Sequence, residues 1–240
     1  MTASSMPTPT PSVLVFDVNE TLIDIDFIAP LFGELFGDRR VLREWFGQLV
    51  MYSMTATLSE CYVDFSTLGQ GVLRMLADIY RVDITDEEVL RLKAAMLTMP
   101  AHPDTAAGLT RLRDNGFRLV TLTNSPPNPE GSTPLENAGL AGLFERTLSV
   151  DPCRAFKPSP VVYRYVCQEL GVAPSDCMMV AAHVWDILGA QNVGFRTALI
   201  TRWGNPPLPV DGLPQPDLVV DDLHQLAERL DDRRHPAADA

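Results

Sequence analysis

The chain has 240 residues, 46% of them hydrophobic, enough for one sizeable core with or without a small second lobe. Its 31 acidic residues against 19 Lys and Arg leave a net charge of −12, and no basic cluster interrupts that balance, which excludes the electrostatic footprint of a nucleic-acid binder. Cys61, Cys153, Cys167 and Cys177 have no C-x-x-C spacing and fall in or beside apolar segments, so reduced, buried thiols and a cytoplasmic protein are expected.

Residues 1–12 are rich in Thr, Ser and Pro, with neither the basic start of a signal peptide nor an apolar stretch able to anchor in a membrane; a disordered tail is expected. The folded part opens on Val13, Leu14, Val15 and Phe16, an apolar run of the kind buried on both faces in a central parallel strand. It stops at Asp17, with Asn19 and Thr21 in the turn that follows. Ligands of such sheets sit at the carboxyl ends of the strands. Asp17 is therefore read as a nucleophile or a metal ligand, the plainer alternative being the cap of a following helix.

From about 26 to 100 only helical periods appear, which reads as an inserted helical lobe behind the first strand. Val41, Leu42, Trp45, Phe46, Leu49 and Val50 make one wide apolar face. Leu68, Val72, Leu73, Leu76, Ile79 and Tyr80 make another, and Thr85 with Glu88 forms a capping box ahead of Val89, Leu92, Met96 and Leu97. Beyond His102 helices and strands alternate. Asp104 is expected to cap a helix ending at Gly116, followed by strands 117–123, 148–150, 178–182, 197–200 and 218–220, and by a closing helix 222–230. Such alternation predicts a doubly wound parallel, Rossmann-like α/β sheet with right-handed crossovers. Its expected organisation is a core of 13–25 and 101–230, a helical cap of 26–100, and disordered tails at 1–12 and 231–240.

Polar residues stand at three strand ends: Asp17, then Thr123 and Asn124, then His183 with Asp186, while Lys157 enters from a loop. Singly each has an ordinary role in a turn, a cap or a half-buried surface; in this order on successive strands they read as an active site. The sequence is similar here to the haloacid dehalogenase superfamily over nearly the whole folded chain: Phe16-Asp17-Val18-Asn19-Glu20-Thr21 resembles its first motif, Leu122-Thr123-Asn124 its second, Phe156-Lys157-Pro158 its third and His183-Val184-Trp185-Asp186 its fourth. Lys157-Pro158 followed by Tyr163, and Trp185-Asp186 before Gly189-Ala190, resemble the type II (L-2-haloacid) dehalogenase branch. That resemblance implies a cap over the site, attack by Asp17 on carbon, Thr123 and Asn124 on the substrate, and Lys157 beside Asp17. Two departures stand out. The branch has an Arg after the Trp of its first long cap helix, where Phe46 follows Trp45 here, and a Ser-x-Asn pair where this chain has Ala181 and His183.

The residues argue separately against phosphoryl transfer. In this fold that chemistry uses an acid two places after the nucleophile, and the carboxamide of Asn19 has no proton to exchange. Asp186 is the lone acid at the fourth site, fewer hard oxygen ligands than magnesium prefers. The expected reaction is metal-independent and cofactor-free hydrolytic displacement at C2 of a small 2-substituted carboxylic acid through an aspartyl ester. Lys157 would keep Asp17 ionised. Asp186 or His183 would activate water, and Asn19, Thr123 and Asn124 would orient the substrate carboxylate. Trp45 and Phe46 would supply a dry wall, with Thr21 and Tyr163 completing the substrate contacts. The expected partners are this small acid and at most a second copy of the chain, with no nucleic acid or membrane. Ring opening of an azetidine-2-carboxylate by the same chemistry, and a magnesium-dependent phosphatase, are the alternatives.

Overall fold

The computed structural model describes residues 11–128 and 131–234. Six strands, β1 (Val13–Phe16), β2 (Arg118–Thr123), β3 (Arg146–Ser149), β4 (Cys177–Ala181), β5 (Arg196–Ile200) and β6 (Leu218–Val220), form one all-parallel sheet in the order β3-β2-β1-β4-β5-β6. Every residue of β1 and β4 is buried, whereas the outer strands β3 and β6 expose residues on their solvent sides. Burial on both faces accounts for the unbroken apolar runs of the two central strands. After β3 the chain crosses back past β1 to β4, so β1 and β4 flank the point where strand order reverses and where a crevice opens beyond the strand ends.

Four helices stand between β1 and the next core helix: α1 (Ala29–Phe36), α2 (Val41–Leu58), α3 (Phe65–Tyr80) and α4 (Asp86–Leu97). The six apolar residues read on α2 are all buried. Trp45 anchors α2 to α3: its Nε1 donates to Gly69 O at 2.9 Å, and a Cβ at Gly69 would lie 3.2 Å from the indole, so glycine admits the ring. The expected Thr85–Glu88 capping box starts α4. Ile79 and Tyr80 depart from the expected apolar face, being largely exposed at the end of α3; Tyr80 instead donates to Glu44 at 2.5 Å. Met96 and Leu97 are only half-buried.

The core continues through α5 (Thr105–Asp114), α6 (Pro134–Asn137), α7 (Pro160–Leu170), α8 (Val184–Gln191) and α9 (Leu223–Arg234). Asp104 does not cap α5. Its backbone is already helical, and its carboxylate turns to Arg202 at 2.8 and 3.0 Å and to the amide of Leu223 at 2.9 Å, thereby capping α9. The expected tails are shorter where they can be followed. Pro11 is buried and Ser12 N donates to Asp176 O at 2.9 Å, while α9 runs on past Leu230 because Asp231 accepts from Arg111 and Asn115. Residues 1–10 and 235–240 lie outside the described residues. All four cysteines are unpaired, and only Cys177 is buried; Cys61 is exposed, Cys153 and Cys167 half-buried, a correction to the expectation of buried thiols. Among the described residues no helix is long and apolar enough to cross a membrane.

Candidate active site

The turn after β1 is pinned to its neighbour. Asp17 N donates to Val180 O at 3.0 Å, and Thr21 Oγ1 accepts from Ala182 N at 2.9 Å while donating to Asp17 Oδ2 at 2.7 Å. Thr21 is fully buried, so it orients the Asp17 carboxylate and does not meet a ligand. Asp17 caps no helix; it is 4% exposed, at the crevice.

Lys157, fully buried, holds the centre. Its Nζ donates to Asp17 Oδ1 at 2.6 Å, to Asp186 Oδ2 at 2.7 Å and to Leu122 O at 2.9 Å, using all three ammonium protons. Asn124 Oδ1 accepts from Lys157 N at 3.1 Å, so Asn124 fixes the loop that carries the lysine. Burial alone would raise the Asp17 carboxyl, but the Lys157 charge beside it prevails and holds it well below the usual carboxylate range. Burial opposes the charge on Lys157 as well, and the two carboxylates outweigh it, raising the ammonium above its ordinary value. Asp186 is fully buried behind Lys157. Its Oδ1 accepts from Tyr163 at 2.6 Å, and burial, only partly offset by Lys157, raises its carboxyl. Tyr163, likewise without exposed surface, therefore positions Asp186 and lies out of reach of a substrate. Gly189 permits this packing: a Cβ there would come within 2.6 Å of Tyr163 Oη and of Pro158.

His183, 7% exposed, is held on the other side of Asp17, its ring between Trp185 at 4.9 Å and Phe46 at 5.7 Å. Phe46 thus faces the site. Nε2 of His183 bonds Glu20 Oε2 at 2.5 Å, whereas Nδ1 lies 3.5 Å from Asp17 Oδ2 with no hydrogen-bond partner. Burial would lower the imidazolium, yet the Asp17 and Glu20 carboxylates overcome it and push it up to about 9. Glu20 is the functional side chain that the sequence reading passed over. It is buried, paired on its far side with Arg43 of α2, and sits at φ 63°, a left-handed conformation costing a residue with a Cβ about 1–2 kcal/mol. An acidic residue three places after Asp17 was the available signal.

Two sequence expectations fall outside this cluster. Thr123 Oγ1 accepts from Ser125 N at 3.1 Å and lines a cavity of about 440 Å³ toward β3. Trp45 is buried in the cap, away from Asp17 and His183, and lines a cavity of about 300 Å³ together with Asn19, Leu49, Phe65, Met99 and Ser125. Asn19 borders both cavities and donates to Ser125 Oγ at 3.3 Å. Among the described residues no group of three or more His, Cys, Asp or Glu is disposed to hold a metal ion.

A family model described as haloacid dehalogenase-like hydrolase matches residues 11–194. The chain is 31% identical over 196 residues to (S)-2-haloacid dehalogenase 4A of Burkholderia cepacia, covering 80% of this chain and 84% of the relative. It is 29% identical over 194 residues to the (S)-2-haloacid dehalogenase of Pseudomonas sp. strain YL, covering 80% and 83%. A solved L-2-haloacid dehalogenase superposes with a TM-score of 0.86 at 27% identity, over 93% of this chain and all of that one. A dehalogenase structure described as an intermediate complex superposes at 0.83 with 28% identity, over 92% and 97%.

Proposed function

From its membership of the haloacid dehalogenase-like hydrolases, we propose that this chain hydrolyses the bond between C2 and a leaving group in a small 2-substituted carboxylic acid through an ester on Asp17. The observation that carries this reading is the state of Asp17: a buried carboxylate kept ionised by Lys157 at 2.6 Å, with Asn19 where an acid would be needed to protonate a phosphate leaving group. An anion stripped of water and oriented by Thr21 is prepared for in-line attack on carbon, and the ester divides one difficult displacement into two easier steps. Asn19 and Ser125, at the border of the 300 Å³ cavity between the helical cap and the sheet, are the groups suited to a substrate carboxylate. The relatives named for (S)-2-haloacids support that substrate class. Four unpaired cysteines support a reducing compartment, the cytoplasm.

A single turnover of 2-bromopropionate in heavy-oxygen water tests the ester: one heavy oxygen should enter the Asp17 carboxylate, because water attacks the ester carbonyl. Label found in the product alone would refute attack by Asp17. Metal is expected to be dispensable, since the Lys157 ammonium already bridges the Asp17 and Asp186 carboxylates. Dialysis against a chelator should leave turnover unchanged; activity lost there and restored by magnesium would favour a phosphatase-like site.

A further inference from the structure

We propose that His183, with Glu20 behind it, is the acid and base of this reaction: it releases a proton as Asp17 becomes an ester, then takes one through Nδ1 from the water that cleaves that ester. This rests on the ester reading above. Of the candidate bases, the other two are occupied. Lys157 is an ammonium with all three protons donated, and Asp186 is fully buried with Oδ1 held by Tyr163 and Oδ2 by Lys157. His183 Nδ1 is buried and makes no hydrogen bond, and it stands 3.5 Å from Asp17 Oδ2, next to the carbonyl a water must attack. Glu20 fixes the ring through Nε2 at 2.5 Å, leaving Nδ1 as the nitrogen beside Asp17, and Arg43 holds Glu20.

The balance closes. Asp17 bonds to C2 as the C2–X bond breaks with both electrons going to X, and the imidazolium proton leaves with X or to solvent. Asp17 is then neutral, and the strongest source of His183's raised proton affinity is gone. The groups facing the ring are Asp17 at the end of β1 and Glu20 in the same turn, with Arg43 of α2 offsetting Glu20, and the uncharged rings of Phe46 and Trp185. Burial then favours the neutral imidazole. Water attacks Asp17 Cγ and gives a proton to Nδ1. The tetrahedral intermediate expels the product oxygen, which takes the hydroxyl proton left on Cγ, and restores the carboxylate and the imidazolium. Alkylation of Asp17 is thus the event that turns His183 from acid to base.

In single turnovers of 2-bromopropionate followed by intact-protein mass measurement, His183→Gln should form the Asp17 adduct and hold it, with ester hydrolysis slowed about 10²- to 10⁴-fold. Glu20 acts through His183, so Glu20→Gln should move the pH limb of ester hydrolysis downward, and Glu20→Asp should move it back. As a measurement that needs no turnover, the His183 ring followed by NMR should titrate near 9 in the wild type and about a pH unit or more lower in Asp17→Asn, the neutral counterpart of the ester. Adduct that clears from His183→Gln at the wild-type rate, no adduct in His183→Gln while wild-type Asp17 still takes up label, or identical titration in wild type and Asp17→Asn would each overturn the dyad and leave the ester reading intact. A wild type that neither turns over nor labels Asp17 would overturn both.

Discussion

Lys157→Met is expected to lower turnover by at least about 10²- to 10³-fold, the scale of losing a preorganised charged donor in a dry site, and to cost about 3–5 kcal/mol of stability, as when one partner of a buried ion pair is removed. The ammonium stands 2.6 Å from Asp17 and 2.7 Å from Asp186, and both carboxylates are buried. Without it the two acids repel across a gap that a methyl group fills but does not neutralise. One of them must then take up a proton, so its pKa in the folded variant lies above its unfolded value. The sign follows from linkage: the folded variant binds more protons than the unfolded chain, so its stability falls as pH rises, and the deficit against wild type shrinks on acidification. Urea denaturation at several pH values measures this directly. Adding Asp186→Asn removes one of the two anions and should recover part of the stability without recovering turnover, because Asp17 still lacks its cation. A Lys157→Met protein as stable as wild type across that range would show that the bridge does not hold these strands' ends together.

Why the sequence disclosed the scaffold more fully than the site's inner workings follows from where each kind of information resides. Strand β1 and the capping box at Thr85 are local: four apolar residues in a row, or a Thr and a Glu three apart, state their own structure. Asp17, Lys157 and Asp186 were legible because their spacing along the chain matches the order of strand ends in a doubly wound sheet. Thr21, four residues after Asp17 in the same turn, was legible as a hydrogen-bonding partner of that carboxylate. What Asn124 and Tyr163 do was not: each is a polar residue that a sequence places near a ligand, and each is turned by long-range packing toward Lys157 or Asp186 instead. Glu20 was the harder case. Its meaning depends on Arg43 and His183, 23 and 163 residues away, and on a left-handed backbone that no local pattern of a Glu predicts. Asp104 shows the same limit in the core, since a residue of cap-forming type before a helix was spent on the cap of a different helix, α9.

Phe46→Arg is expected to raise turnover of 2-chloropropionate on the order of ten- to a hundredfold, making the chain a better dehalogenase than the wild type. Phe46 lies where the dehalogenase branch that the sequence resembles carries an arginine, and its ring stands 5.7 Å from His183, so a side chain here addresses the reacting centre and is not confined to cap core. An apolar ring gives a departing chloride nothing; a guanidinium would give it a charged hydrogen bond worth about 1.5–3 kcal/mol in a dry site. At a factor of ten per 1.4 kcal/mol, that gain sets the size of the effect. In the wild type the ring at position 46 is apolar with the His183 imidazole beside it, so the positive centre on offer there is a proton donor and not a fixed cation. The comparison to make is therefore the ratio of kcat/KM for 2-chloropropionate against azetidine-2-carboxylate in the wild type, Phe46→Leu and Phe46→Arg. Leucine keeps the wall apolar and should leave the ratio near wild type; arginine should move it toward chloride. Chloride already turned over as fast as any other substrate by the wild type, with Phe46→Arg neutral, would mean that the leaving group is held elsewhere and that Phe46 serves only to keep the His183 pocket dry.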